Sequence, residues 1–390
     1  MIATFIILCF CFFALCAPYI MKIDNSKEKV AKACLAHGLN VIESFCANDD
    51  TNPIFDAFNS LSGEVPILQT VEGKYERYLF HAFKFNTSFS NPDDVVKTFY
   101  GNTHLMNIRY NAIKIYVISD EFNVTNKFMN SFENLKFSKL IYNASFDENP
   151  EVLAINIKKQ LMNATNDTID EELDWLVKVN QSDRLVAYSA AEYSKRMLVA
   201  FDQKNSKRRL FYNDGFKKRL MRFMSNKGEY KHYSNDKYAA LDVAYEHGDH
   251  LMVILPNKDI ECKSLLQNLT VDEVFDLNRK LQLKNVSVSI PLFDQNYIRT
   301  RSSYSSHERI SFLLTTAAYP SLTQKPLVKK VYFTQSKAVI RFKLSEAGIY
   351  NATSIPSNTK LTKFIANRPF IYFLFTKRNI ALFVGVLNRL

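Results

Sequence analysis

Hydrophobic residues along the chain change their spacing at about residue 184. Before that point the pattern is mostly helical. Val30, Ala33, Cys34, Leu39 and Val41 recur close to a helical period and predict a helix from Lys27 to about Phe45. Helical patterns follow over Pro53–Leu61, Pro92–Thr98 and Val124–Phe132. Between them "NAIKIYVIS" (Asn111–Ser119) is β-branched and aromatic, which predicts a strand. In "NPEVLAINIKKQLMNAT" the pair Asn149-Pro150 fits an N-cap with proline in the first turn, and Val152, Ile155 and Leu161 lie near one face.

From "RLVAYSAAEY" (Arg184–Tyr193) onward strands dominate. Asn213-Asp214-Gly215 joins two short strands as a hairpin. Residues Gly228–Pro256 read as three strands, with turns at Asn235-Asp236 and His247-Gly248-Asp249. A helix spans about Val271–Leu281, and "VSVSIPLF", "VYFTQSKAVIRFKL", "FIYFLF" and "ALFVGVL" are further strands. No linker rich in Pro, Gly or Ser divides the chain, and no internal repeat is visible. The pattern predicts one α+β domain with helices concentrated early and antiparallel strands late. With 390 residues, 47% of them hydrophobic, the chain can fill a large core.

The first residues change the picture. Ile2–Ala17 is an uncharged apolar stretch, and Ala14 and Cys16 are small residues where a signal peptidase reads. A secretory signal peptide at 1–16 is expected, leaving a domain over 17–390. The alternative, a retained anchor, needs roughly 20 apolar residues and the run is shorter. No later segment is long and apolar enough to cross a membrane, so the expected location is extracellular. Cys9, Cys11 and Cys16 leave with the signal, and Cys34, Cys46 and Cys262 remain. At most one disulfide can form among them, with Cys34 and Cys46 closest in sequence; the alternative is three buried thiols. On a secreted chain the sequons become usable as N-glycosylation sites: Asn86, Asn123, Asn143, Asn163, Asn166, Asn180, Asn268 and Asn351. Asn285 also fits the rule but opens an alternating strand pattern.

The net charge is +11. The cations cluster as Lys204, Lys207, Arg208 and Arg209, then Lys217, Lys218, Arg219 and Arg222. Outside the cell this charge suits a sulfated glycosaminoglycan or another acidic surface rather than nucleic acid. A solvated basic hairpin is the plainer reading. Catalytic chemistry is hard to find. There is no nucleophile elbow and no phosphate-binding glycine loop. Glu246, His247, Asp249 and His250 imitate a metal cluster but fall in a predicted turn without a helical frame. "HERIS" (His307–Ser311) lacks the second histidine of a zinc protease helix. No cofactor, metal or enzymatic activity is expected.

One resemblance covers the chain from about Lys27 to its end. "GEYKHYSNDKYAALDVAYEHGDHLMVILPNKD" (Gly228–Asp259) resembles the serpin family in order as well as composition. "KFIANRPFIYFLFTKRNIALFVGVLNR" (Lys363–Arg389) is similar to the family's closing signature, and "SKAVIRFKLSEAG" (Ser336–Gly348) to the strand that leads into its reactive loop. The resemblance implies a single domain with eight or nine helices, three β-sheets and an exposed reactive-centre loop, here about 346–366. It also implies a monomer that baits a serine or cysteine protease with the loop. After cleavage the loop inserts into the main sheet and the acyl-enzyme is trapped, a standard instance of strand addition. The nucleophile then belongs to the target.

The same resemblance marks departures. Glu346 and Gly348 match the hinge acid and glycine of the loop. Inhibitory members continue with small residues, because the segment must slide between paired strands. Here the run is Ile349, Tyr350, Asn351, Ala352, Thr353, Ser354, Ile355 and Pro356, and the loop is several residues short. Strand alternation puts Asn351 and Tyr350 on opposite faces. "NVIESFCA" (Asn40–Ala47) aligns with the helix that supports sheet opening, keeping Ser44 but with Phe45 and Ala47 in place of a proline and a second serine. Ser189 and Ser336 stand where a strand asparagine and histidine are usual, and Met197 where a tryptophan is; the single Trp is Trp175. The expectation is a secreted serpin-fold glycoprotein with inhibition weakened or lost, acting as a binding or carrier scaffold. Two alternatives stand beside it. One is a working inhibitor of trypsin-like proteases with Lys360 or Lys363 as bait. The other is a sulfated-glycan binder acting through Lys204–Arg222.

Overall fold

The computed structural model describes residues 26–47, 51–101, 108–133, 135–146, 149–166, 168–302, 322, 333–351, 356 and 358–390. The signal segment and "HERIS" lie outside them. The chain opens with helix α1 (26–47), whose Val30, Ala33, Cys34, Leu35, Ile42 and Phe45 are buried. Gly38 lets it lie close on the sheet below, since a Cβ there would meet Val384 at 2.6 Å.

The helix expected from Pro53 starts later. Strand β1 (Ile54–Asp56) comes first, and α2 follows over Ala57–Leu68. Asp56 makes the switch: its backbone is extended, and its carboxylate accepts from the Asn59 N–H at 3.2 Å, capping the helix. Next come α3 (Lys74–Ala82), α4 (Pro92–Gly101), β2 (Asn111–Ser119), α5 (Asn126–Glu133), β3 (Ser138–Ala144), α6 (Pro150–Ala164) and α7 (Asp170–Leu176). Pro150 does start α6, but the Asn149 side chain makes no capping hydrogen bond. The buried face of α6 is Leu153, Ile157 and Leu161, four residues apart, so Val152 and Ile155 point to solvent at 64% and 68% exposure. Only Leu161 of the expected stripe faces the core.

The second half holds β4 (Leu185–Tyr193), β5 (Met197–Val199), β6 (Lys207–Asn213), β7 (Lys217–Ser234), β8 (Tyr238–Ala244) and β9 (His250–Pro256). Helices α8 (Cys262–Gln267) and α9 (Val271–Lys280) follow, the latter opened by a Thr270–Glu273 capping box. The last strands are β10 (Gln282–Pro291), β11 (Phe293–Ser302), β12 (Gln335–Leu344), β13 (Gly348–Tyr350), β14 (Thr362–Ile365), β15 (Phe370–Phe375) and β16 (Ala381–Leu387). Asp214 (φ 54°) and Gly215 (φ 87°) make the hairpin turn between β6 and β7, as the sequence predicts.

The described residues form nine α-helices and three sheets. A nine-stranded sheet runs β1-β16-β15-β9-β8-β7-β10-β14, with β6 added on β7. A five-stranded sheet runs β11-β12-β4-β2-β3, and β13 pairs with β5 alone. In the five-stranded sheet β4 and β12 are parallel and directly paired, from Val186–Gln335 to Tyr193–Phe342. Both faces of that sheet are covered. Ile115, Val117, Val186, Tyr188, Ala190 and Val339 pack with α6 and α7 on one side. Tyr116, Ile118, Ala187, Ala191, Ile340 and Phe342 join the core cluster that holds Phe58, Leu61 and Val65 of α2 on the other. Any strand added between β4 and β12 would therefore be buried on both faces.

Candidate functional site

The hinge leaves the top of β12 and does not turn back into the sheet. It runs on beside the segment that follows β4, with Gly348 opposite Met197 and Tyr350 opposite Val199. The Ala200 N–H donates to the Tyr350 carbonyl at 2.8 Å, and the Phe201 N–H to the Glu346 carbonyl at 3.0 Å. Contact is so close that a Cβ on residue 348 would lie 2.3 Å from the Ala200 nitrogen. Only glycine fits there. Glu346 is mostly buried; its Oε1 accepts from Ser206 Oγ at 3.0 Å and pairs with Arg222 at 3.3 Å. Met197, in the usual tryptophan position, is buried and also bridges to Tyr245. Ile349 and Tyr350 are exposed, Tyr350 by 61%, as are Asn351 and Pro356. Residues 352–355, the rest of the inserting run, lie outside the described residues.

The two bait candidates sit differently. Lys360 is exposed and lies outside any strand, just before β14. Lys363 stands inside β14, paired with Ser287 of β10, an element that sequence periodicity did not reveal.

The helix beneath the five-stranded sheet is α2, not Asn40–Ala47. That segment is the end of α1, and its Val41, Ile42 and Phe45 belong to the cluster of Ala240, Met252, Ile371 and Phe373 on the nine-stranded sheet. The polar cluster under the sheet is instead carried by Asp56, Asn59 and Glu64. Glu64 and Lys114 form a buried ion pair, and the Lys114 ammonium also lies 5.2 Å from the Tyr116 ring centroid. Tyr110 Oη donates to Asp56 Oδ1 at 2.9 Å. Burial pushes the Asp56 carboxyl up to about 7, against the hydrogen bonds from Tyr110 and the Asn59 amide and the more distant Lys114 charge. The Asn59 side-chain amide, unlike its bonded backbone N–H, has no partner among the described residues, nor have Asp56 Oδ2, Glu64 Oε2 and Ser138 Oγ. Ser189 and Ser336 lie in β4 and β12, opposite Ala338 and Ala187, and neither side chain makes a hydrogen bond among the described residues. The polar links across this pair lie at its start instead, where Thr334 Oγ1 donates to the Leu185 carbonyl at 3.2 Å and Gln335 Nε2 to Asp183 Oδ1 at 2.9 Å.

The remaining sequence-derived positions are spread over the surface. Asn86, Asn123, Asn163, Asn166, Asn180 and Asn268 are exposed, Asn143 lies in the edge strand β3, and Asn285 is half-buried in β10. Lys204, Lys207, Arg208, Arg209, Lys217, Lys218, Arg219 and Arg222 gather on and beside the β6–β7 hairpin. Cys34 and Cys46 share one helix, which holds them ~18 Å apart at 1.5 Å per residue; a disulfide needs less than about 7 Å. That pairing is excluded, and no disulfide joins Cys34, Cys46 and Cys262 to one another. Near the expected metal-like turn, His250 Nδ1 meets Asp242 at 2.6 Å and its Nε2 meets Asn379 at 3.3 Å. No group of three metal-ligating side chains occurs among the described residues. A cleft of about 1360 Å³ opens beside it, lined among others by Lys27, Val199, Lys231, Phe275 and Arg279. Sequence patterns gave no hint of it, since its walls come from separate elements.

A five-stranded sheet with β4 and β12 directly paired, and a hinge held against the segment that follows β4, set the geometry of the site. The family model described as Serpin (serine protease inhibitor) matches residues 69–390, and the chain belongs to the serpin family. Intracellular coagulation inhibitor 2 of Tachypleus tridentatus is 23% identical over 95% of this chain and 94% of its own. Among solved structures, mouse protein-Z dependent protease inhibitor superposes with a TM-score of 0.78 at 16% identity, covering 94% of this chain and 99% of that one. Human thyroxine-binding globulin, solved with its ligand, gives 0.78 at 14% identity over 93% and 99%. These likenesses establish the fold.

Proposed function

We propose that this chain is a secreted serpin-fold glycoprotein that binds a partner or ligand without trapping proteases. The observation that carries the reading is the hinge itself. Insertion between β4 and β12 would bury both faces of the added strand, and the strand would carry Tyr350 on one face and Asn351 on the other. An unpaired buried amide costs roughly 1–3 kcal/mol, and a glycan on Asn351 could not be buried at all. Pro356 removes a ladder hydrogen bond further along. In the uninserted state Gly348 and Tyr350 are already paired with Met197 and Val199 of β5. Secretion rests on the apolar 1–16 segment, and glycosylation on the exposed sequons. The cleft beside His250 offers a ligand site, and the likeness to a thyroxine-binding globulin makes carriage a natural use of the fold.

The test is incubation of the purified protein with trypsin-, chymotrypsin- and elastase-like proteases. The expected result is cleavage or no reaction, with no band of summed mass on a denaturing gel. A stable band would establish the second reading, an active inhibitor, for which Lys360 is the better bait because it stands free of a strand.

A further inference from the structure

The β6–β7 hairpin has two unlike faces. Phe211 and Phe223 point inward and are fully buried. Alternation then turns three cross-strand pairs outward: Arg208 opposite Arg222, Leu210 opposite Leu220, and Tyr212 opposite Lys218. Leu210 and Leu220 are 42% and 55% exposed, and Phe216 beside the turn is 69% exposed. An apolar pair open to water is unfavourable unless something covers it.

The cations divide into two sets. Lys217 reaches Asp214, Arg219 reaches the Leu390 carbonyl, and Arg222 pairs with Glu346. Lys204, Lys207, Arg208, Arg209 and Lys218 have no acidic partner among the described residues. By the same alternation Lys207 and Arg209 fall on the face of Phe211 and Phe223, while Arg208 and Lys218 flank the leucine pair, so the outer face offers two unpaired cations around a central apolar pair and an apolar tip.

We propose that the outer face of this hairpin docks on an anionic lipid surface. Arg208 and Lys218 meet the headgroup charge, while Leu210, Leu220 and Phe216 enter the boundary between headgroups and acyl chains. A sulfated polysaccharide would satisfy the charges and leave the leucine pair and Phe216 in water, so the apolar residues decide between the two. The proposal does not depend on whether the loop inserts.

Sedimentation with vesicles tests it, using phosphatidylcholine alone and phosphatidylcholine mixed with phosphatidylserine. Binding is expected only to the mixed vesicles and should weaken with salt. Leu210→Thr/Leu220→Thr/Phe216→Ser keeps strand-forming residues in the ladder and should lose about tenfold in vesicle affinity. Its retention on a heparin column should stay the same. Arg208→Glu/Lys218→Glu should weaken both. A separate Phe216→Trp protein, with tip fluorescence compared against the background of Trp175, should shift to the blue on adding the mixed vesicles. The proposal is overturned by failure to bind the mixed vesicles at low salt. It is equally overturned if the apolar variant binds them as well as the parent, or if polysaccharide alone is bound.

Discussion

Gly348 and Ala200 are pressed together by the pairing of β13 with β5, leaving no room for a Cβ between them. The glycine is therefore a fastening point of the loop's base in the exposed state, and not only a source of flexibility. Gly348→Ala should push β13 away from β5 and cost about 1–3 kcal/mol. Hydrogen exchange at the Ala200 and Phe201 amides, which donate to Tyr350 and Glu346, should accelerate. Unchanged exchange at those two amides would contradict this account.

Asp56 makes stability depend on pH. Its folded pKa of about 7 lies above the ordinary carboxyl value near 3.9, so the folded state holds a proton that the unfolded chain has lost. Its stabilising contribution is full below about pH 4 and disappears as pH rises through 7. Asp56→Asn keeps a capping oxygen and removes the charge. At pH 8 it should be more stable than the parent by on the order of 2–4 kcal/mol, with the difference vanishing near pH 4. Denaturant unfolding of both proteins across that range checks the slope. A parent advantage at pH 8 would show that the ionised carboxylate is welcome where it sits.

Lys360 and Lys363 should differ under trypsin. A protease needs an extended, unpaired segment, and Lys363 is hydrogen-bonded into the edge of the nine-stranded sheet. The first cut in this region should follow Lys360, by mass spectrometry of the early fragments. An early cut after Lys363 would mean that β14 opens readily.

Thiol reactivity should single out Cys46. Cys34 and Cys262 are buried, and burial raises both thiols well above the ordinary range; Cys46 is half-buried. A maleimide should label Cys46 first in the folded protein, with the other two reacting only on unfolding. Peptide mapping should show no bond between Cys34 and Cys46. Equal labelling rates for all three would refute the burial described.

Some of this was legible in the sequence. Asn111–Ser119, Phe370–Phe375 and Ala381–Leu387 read as strands because they are buried on both faces and so are apolar almost throughout. The hairpin was legible because Asp214 and Gly215 carry the turn's own backbone chemistry. Short elements were not. β13 and β14 have three and four residues and owe their form to partners far along the chain. The mistaken stripe on α6 came from weak patterning, since Val152 and Ile155 are apolar yet face solvent. The polar cluster under the five-stranded sheet is hidden in the sequence for a related reason. Asp56, Asn59 and Glu64 look like ordinary surface residues, and only tertiary packing buries them.

The position of β16 has a consequence for how the molecule is made. β16 comes after every other strand in the chain, yet it sits inside the nine-stranded sheet, between β15 and β1, with all seven residues buried. Its pairing of Gly385 with Ile54 joins residues more than 300 positions apart. During synthesis the edges of β1 and β15 must wait, unpaired, until residue 387 has left the ribosome. Closure of the core is thus a slow, long-range event. Until it happens, those two edges are open to the same strand from a neighbouring nascent chain.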